Sequence, residues 1–125
     1  MRRAFWIFCS LTIGAVILFL SLAPVVRFTG GTDKLAHAAS YGIWTAVSLM
    51  VFRRWIATIA VLILALAVGV GIEFVQPYIG RVCDVWDMAA NAVGMVLGAL
   101  FAFFILRPME KWFLSLFAKS EQTEE

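Results

Sequence analysis

The feature that most constrains this chain is a succession of four long apolar runs. They cover residues 4–26, 34–52, 55–76 and 87–106. About 18 or more predominantly apolar residues are enough to cross the hydrocarbon core of a bilayer as an α-helix. A helix also satisfies its own backbone hydrogen bonds, which lipid cannot do for it. The pattern therefore predicts an all-α membrane protein built as a bundle of four transmembrane helices.

The composition supports lipid as the solvent. Hydrophobic residues make up 63% of the chain and charged residues only 14%, whereas a typical soluble domain has about 25% charged residues. No stretch is left for a separate soluble domain, so residues 1–119 are expected to form one membrane domain. The first run exceeds the roughly 7–15 residues of a signal-peptide core, which favours an uncleaved anchor. The basic residues lie at the ends of the runs, so we expect no nucleic-acid partner.

The segment after the fourth run has a different pattern. Its apolar residues recur at the spacing of one helix face, at Met109, Trp112, Phe113, Leu116 and Phe117. Such a segment is amphipathic, and residues 108–119 are too few to span the bilayer. The sequence therefore predicts a short interfacial helix over residues 108–119. Residues 120–125 are expected to form a disordered acidic tail.

The distribution of basic residues predicts the orientation in the membrane. With four spans, one side receives seven of them: Arg2, Arg3, Arg53, Arg54, Arg107, Lys111 and Lys119. The other side receives three: Arg27, Lys34 and Arg81. Loops rich in Lys and Arg stay in the cytoplasm. Both termini are therefore predicted to be cytoplasmic.

Ten polar residues fall at one end of this predicted bundle. They are Asp33, Lys34, His37, Tyr41, Glu73, Gln76, Arg81, Asp84, Asp87 and Asn91. The start of the second span, the end of the third and the start of the fourth all lie on the outer side. Ionisable groups close to hydrocarbon are costly and commonly mark functional sites. The set therefore predicts an outward-facing polar site.

Each residue of this set also has a simpler explanation. Asp33 and Asp87 are suited to capping helices, and Asn91 is suited to hydrogen bonding between helices. Packing alone does not require so many polar residues at one end of the bundle. The set as a whole therefore favours a functional site over purely structural roles. His37 among carboxylates leaves a cation site open, but the spacing is not diagnostic of a metal. We therefore expect no metal and no cofactor.

Two further predictions concern contacts within the bundle. Arg81 lies close in sequence to three carboxylates, which predicts an ion pair with Glu73, Asp84 or Asp87. His37 is expected to face Glu73 or Asp87 across the helices. The small-xxx-small motif from Gly94 to Gly98 permits close approach of helix backbones. Packing within the bundle is favoured over dimerisation as its purpose, although an oligomer stays open.

Three ordered motifs resemble the VanZ-like family of small bacterial membrane proteins, which is named for a teicoplanin-resistance protein. They are Asp33-Lys34-x-x-His37-x-x-x-Tyr41, Glu73-x-x-Gln76 and Arg81-x-x-Asp84-x-x-Asp87-x-x-x-Asn91-x-x-Gly94. The resemblance covers residues 33–106 and implies a protein of the bacterial inner membrane. It implies that nine residues form the polar signature of the family, with Asp84 outside this set: Asp33, Lys34, His37, Tyr41, Glu73, Gln76, Arg81, Asp87 and Asn91. The protein for which the family is named lowers susceptibility to a glycopeptide that acts on cell-wall precursors outside the membrane, which fits an outward-facing site.

Three classes of function are compatible with these patterns. The favoured one is the binding or remodelling of an envelope lipid or a lipid-linked cell-wall precursor, with an effect on glycopeptide susceptibility. Arg81 and Lys34 would then hold an anionic headgroup. The second is an integral-membrane enzyme acting on a lipid headgroup, with His37 or Glu73 as general base. The third is a small exporter, which is disfavoured because coupled transport uses carboxylates near the midplane of the membrane.

Overall fold

The computed structural model describes residues 2–23, 31–52 and 54–121, with side chains described as far as residue 116. This part of the chain contains helices and no strand, which confirms the all-α prediction. The α-helices are α1 (Arg2–Leu22), α2 (Gly31–Val51), α3 (Trp55–Val75), α4 (Val85–Phe101) and α5 (Arg107–Glu121). A 3-10 turn (Gln76–Ile79) follows α3, and a π-helical turn (Ala102–Leu106) joins α4 to α5. The predicted tail over residues 120–125 lies largely outside the described residues.

Three helical segments of the described chain are long and apolar enough to cross a membrane. They are Arg2–Leu22, Trp55–Ile79 and Val85–Leu116. Helix α2 has the same 21-residue length as α1, but it carries Asp33, Lys34 and His37 in its first turns. It also packs against α1, α3 and α4. Much of its surface therefore contacts other helices rather than lipid, and that part does not need to be apolar. The chain is a multi-pass membrane protein, and a fourth crossing by α2 stays a prediction.

The surface of the bundle has the polarity expected in lipid. Large apolar side chains point outwards on several helices, with Phe8 69% exposed, Phe19 71% and Ile63 64%. Polar side chains such as Glu73 and Asn91 are buried instead. Soluble monomers rarely expose contiguous apolar surface on this scale. The arrangement is therefore suited to a hydrocarbon solvent.

Contacts between the helices fix their relative directions. The Ser10 hydroxyl in α1 lies 2.7 Å from the Ser48 hydroxyl in α2, so the start of α1 lies beside the end of α2. The Lys34 ammonium contacts Asp87, so α2 and α4 start side by side and run parallel. The last residues of α1 and α3 lie at this same end. We call it the polar end, defined by Lys34, Gln76 and Asp84.

The apolar core joins the four long helices. One buried cluster contains Ile17 of α1, Tyr41 of α2, Ala65 of α3 and Met95 of α4. A second cluster, farther from the polar end, packs α2 against α4 through Leu49 and Ala99 among others. By packing the helices together, these clusters fix the positions of the helix ends, and the helix ends carry the polar residues.

The closest helix contact in the bundle is that between α2 and α4. A methyl group added at Gly94 would overlap the carbonyl oxygen of Ala38, and one at Gly98 would overlap that of Gly42. Glycine at these positions lets the two backbones touch, as small-xxx-small motifs do in membranes. The motif is therefore used for packing within the bundle, as predicted.

Helix α4 continues into α5 without a break. The π-helical turn before Arg107 includes a hydrogen bond from the Arg107 amide to the Ala102 carbonyl. Pro108 cannot donate a backbone hydrogen bond and crowds the preceding turn, and a wider turn at this point accommodates it. Pro108 was expected to begin a separate interfacial helix, and instead it lies inside a continuous helical segment. The position of α5 relative to the bilayer stays a prediction.

The contact between α2 and α4 can be tested by enlarging one glycine. We expect Gly94→Val to lower the thermal stability of the detergent-solubilised protein strongly, since overpacking typically costs about 1–3 kcal/mol and here meets backbone. Gly71→Val is the matched control, because nothing lies within 4 Å of an added Cβ there. Equal melting temperatures for the two variants would show that α2 and α4 are not in backbone contact.

Candidate functional site

Helices α2, α3 and α4 bring most of the predicted polar residues together at the polar end. The two parallel helices α2 and α4 place their first turns side by side, and the end of α3 lies beside the start of α4. Of the ten predicted residues, seven interact across these elements: Lys34, His37, Tyr41, Glu73, Asp84, Asp87 and Asn91. Asp33 faces His37 one turn along the same helix. Gln76 and Arg81 contact α1 instead.

Lys34 links α2 to the start of α4. Its Nζ donates to Asp84 Oδ2 at 2.6 Å and to Asp87 Oδ1 at 2.7 Å. Asp84 is also the N-cap of α4, because its Oδ1 accepts from the Trp86 amide at 2.8 Å. The Lys34 ammonium and the Trp86 amide hold the pKa of the Asp84 carboxyl below its usual value. Asp84 is therefore ionised and fixed at neutral pH.

His37 lies between α2 and α4 with both ring nitrogens engaged. Its Nδ1 is 3.0 Å from Asn91 Oδ1. Its Nε2 is 3.6 Å from Asp87 Oδ2 and 4.0 Å from Asp33 Oδ1. The imidazole is only 10% exposed. The predicted contact between His37 and Asp87 is confirmed.

Glu73 is the most deeply placed carboxylate of the site. It is fully buried at the end of α3, and its Oε2 accepts from the Asp84 amide at 3.2 Å. Its Oε1 has no hydrogen-bond partner among the described residues, and the same holds for the buried Tyr41 hydroxyl. Buried polar atoms are usually paired. Glu73 Oε1 and the Tyr41 hydroxyl are therefore exceptions to this pairing among the described residues.

Arg81 does not make the predicted ion pair with a carboxylate. Its Nη1 donates to the carbonyl oxygens of Ser21 at 3.0 Å and Leu20 at 3.4 Å, and the described residues form no salt bridge to it. The Gln76 amide donates to the same Ser21 carbonyl at 3.4 Å. The last carbonyls of a helix lack intrahelical partners and attract cations. Arg81 therefore satisfies the last backbone carbonyls of α1, whereas Lys34 pairs with the carboxylates of Asp84 and Asp87.

The end of α1 is the part of the site that the sequence patterns did not reveal. Leu20 and Ser21 contribute backbone carbonyls, which leave no residue-type signal in a sequence. The order of the helices could have indicated them, since the end of α1 must lie at the same end of an up-and-down bundle as the start of α2. The same reasoning could have assigned Lys34 to the carboxylates of α4.

A groove of about 290 Å³ between α1 and α2 opens beside this site. Its polar end is formed by Ser21, Asp33, His37 and Arg81. Its length is lined mainly by aliphatic side chains, namely Ile13, Val16, Ile17, Leu20 and Ile43. The groove therefore combines charged and hydrogen-bonding groups at one end with an apolar track along the helices.

Comparison with known proteins identifies a family. A family model described as VanZ/LLP1 matches residues 6–107, which include most of α1, all of α2 to α4 and every residue of the polar site. No curated protein and no solved structure gives a significant match. The match covers most of the chain and agrees with the resemblance carried by its three polar motifs. The chain belongs to the VanZ/LLP1 family of membrane proteins.

Proposed function

We propose that this protein binds an anionic envelope lipid or a lipid-linked cell-wall precursor at the polar end of its bundle. The headgroup would lie against Arg81 and His37, and the acyl or prenyl tail would lie along α1 and α2. Binding would change the availability of that lipid at the membrane surface, and glycopeptide susceptibility with it. The main support for this proposal is the groove between α1 and α2, which is polar at one end and apolar along its length.

The shape and lining of that groove match an amphiphile. Ligand pockets are mostly apolar, with a few polar groups that orient the ligand. Here Ile13, Val16 and Ile17 offer an apolar wall, and Arg81 and His37 are at its mouth. A phosphate group needs hydrogen-bond donors, and a guanidinium presents several in one plane. Arg81 uses Nη1 for the α1 carbonyls, and the proposal assigns its remaining donors to the headgroup.

Lys34 was predicted to hold the headgroup, but in this proposal it pairs with two carboxylates of the chain instead. Its ammonium is held by Asp84 and Asp87 at 2.6 and 2.7 Å. It therefore keeps the start of α4 in place and lowers the negative charge that an anionic headgroup would meet. Asp33 and His37 would recognise hydroxyl groups of a glycerol or sugar headgroup.

An integral-membrane enzyme acting on a lipid headgroup at the same site is the second candidate function. It is favoured by Glu73 Oε1, which has no hydrogen-bond partner among the described residues, because a free carboxylate oxygen is suited to accept a proton. His37 lies close to it and carries a neighbouring carboxylate. Product formed from the bound lipid would distinguish this function from binding alone.

The proposal requires the polar end to face the outside of the cell. The bias of seven basic residues against three supports this orientation. At the opposite end, Arg107 donates to the carbonyl oxygens of Leu49 and Phe52 at 2.7 Å, which keeps a cation at the end of α2.

Thiol labelling can test the orientation. We expect Cys83, in the segment before α4, to react with a membrane-impermeant maleimide in intact spheroplasts, since it is partly exposed at the polar end. The control is Arg54→Cys in a Cys83→Ser background, which should react only after permeabilisation. The reverse pattern would place the polar end in the cytoplasm and remove the proposed access to outer-leaflet lipids.

Lipid binding can be measured by native mass spectrometry of the protein in mild detergent. We expect adducts with phosphatidylglycerol or with a polyprenyl phosphate, and few with phosphatidylcholine. Arg81→Gln should weaken these adducts about tenfold or more, because a hydrogen bond to a charged group contributes about 1.5–3 kcal/mol. The two anionic probes separate a general phospholipid site from one for prenyl-linked precursors.

A second pair of variants tests the groove itself. Ser40→Trp would fill the groove, since Ser40 is part of its lining. Ala67→Trp adds the same side chain on an exposed face of α3. We expect only the first to abolish the adducts, with both variants folded by their melting curves. Equal adducts in wild type, Ser40→Trp and Arg81→Gln would contradict binding in this groove.

A further inference from the structure

We propose that Asp33, His37 and Asp87 form a binding site for a divalent transition-metal cation, of which Zn²⁺ is the reference case. The three residues each offer one ligand atom, and these atoms all lie within 4.8 Å of one another. This inference does not rest on lipid binding. Because Asp33 and His37 also line the groove, metal binding is tested on lipid-free protein.

The spacing of the three donors suits one small cation. His37 Nε2 lies 3.6 Å from Asp87 Oδ2 and 4.0 Å from Asp33 Oδ1. Ligands about 2.1 Å from a tetrahedral zinc ion lie about 3.4 Å from one another. Small rotations of the side chains are therefore enough to close the site. Asp33 and His37 also come from one helix at an i, i+4 spacing, which places them on the same face.

The second nitrogen of His37 orients the ring as a metal ligand requires. Asn91 Oδ1 is an acceptor 3.0 Å from Nδ1, so Nδ1 carries the proton in that contact. The lone pair of a neutral imidazole is then on Nε2, the nitrogen that faces Asp33 and Asp87. Metal-binding histidines almost always donate their other N–H to such a partner. Asn91 is therefore a positioning residue for His37.

The charge balance of the polar end leaves room for a cation. Four carboxylates lie there, namely those of Asp33, Glu73, Asp84 and Asp87. Lys34 provides the ammonium that is hydrogen-bonded to two of them. Arg81 donates to the backbone of α1 instead. From α1, the groups that face this end are the backbone carbonyls of Leu20 and Ser21, which add no positive charge.

The unpaired oxygen of Glu73 is an independent sign of a ligand. Glu73 is fully buried, its Oε1 lacks a partner among the described residues, and its carboxylate interacts electrostatically with His37 and Asp87. A buried carboxylate oxygen without a partner is costly. Three protein ligands leave at least one coordination position for water, and in this proposal Glu73 Oε1 would accept a hydrogen bond from that water.

The donor set indicates the class of metal. Imidazole nitrogen suits Zn²⁺ and other first-row transition metals, whereas Mg²⁺ and Ca²⁺ prefer sites made of oxygen alone. One nitrogen and two carboxylates therefore favour Zn²⁺, Co²⁺ or Mn²⁺. The rival arrangement has a protonated imidazolium donating from Nε2 to the two aspartates, and it predicts no uptake of metal.

Metal uptake by the purified full-length protein tests the proposal. After treatment with a chelator and removal of it, we expect one equivalent of Zn²⁺ per chain by elemental analysis, and a Co²⁺ complex with visible absorption bands. Replacement of His37 in His37→Gln, and of Asp87 in Asp87→Asn, should each weaken binding at least 100-fold. Asn91→Ala should weaken it about 10–100-fold, as expected for the partner that orients a ligand.

Glu110→Gln is the matched control. Glu110 lies beside Arg2 at the opposite end of the bundle, so this variant removes one carboxylate and none of the groups at the polar end, and it should bind Zn²⁺ as wild type does. The proposal is overturned if folded wild-type protein takes up no Zn²⁺ or Co²⁺ at 1 mM metal. It is also overturned if His37→Gln and Glu110→Gln bind equally, since the metal would then be held nonspecifically by acidic groups. Lipid-free samples keep this outcome separate from the lipid proposal.

Discussion

The backbone contact between α2 and α4 is the constraint on which the rest of the structure depends. Gly94 and Gly98 have no side chain to hold the helices apart, and they lie against the carbonyl oxygens of Ala38 and Gly42. Because α2 and α4 run parallel, this contact also sets their first turns side by side. A short apolar seam in the middle of the bundle thus determines which polar groups meet at its end.

The polar groups at that end compensate one another only in part. Lys34 is shared by Asp84 and Asp87, and His37 is held by Asn91 and faces two carboxylates. A bundle that needed only to fold could fill these positions with apolar residues, because buried ion pairs are often no more stabilising than good packing. Among the described residues, Glu73 Oε1 and the Tyr41 hydroxyl have no hydrogen-bond partner, which costs stability. The proposed ligand binding at this end would account for that cost.

Much of this architecture follows from the sequence. The length of the apolar runs predicts the helices, and the alternation of their direction predicts that residues from three of them meet at one end. The helical spacing of Asp33, His37 and Tyr41 predicts a common face, and His37 does meet Asp87. The small-xxx-small motif predicts a close helix contact, which Gly94 makes within the bundle.

Other features depend on information that residue types do not carry. Arg81 is bonded to two backbone carbonyls in α1. Every residue has a backbone carbonyl, so the residue types in the sequence do not indicate this contact. The pairing of Lys34 with Asp84 and Asp87, which follow it by 50 and 53 residues, requires α2 and α4 to lie in parallel register. The uninterrupted passage from α4 to α5 depends on a π-helical turn that accommodates Pro108, whereas proline alone signals a helix start.

The most direct test of this account is a double-mutant cycle between Lys34→Met and Asp87→Asn, measured by unfolding of the detergent-solubilised protein. The two side chains come from different helices and meet only if α2 and α4 start side by side. The account predicts a coupling energy of about 1 kcal/mol or more, whereas Lys34→Met and Thr58→Ala, at opposite ends of the bundle, should be additive within about 0.5 kcal/mol. Additive effects of Lys34→Met and Asp87→Asn would contradict the assembly of one polar site.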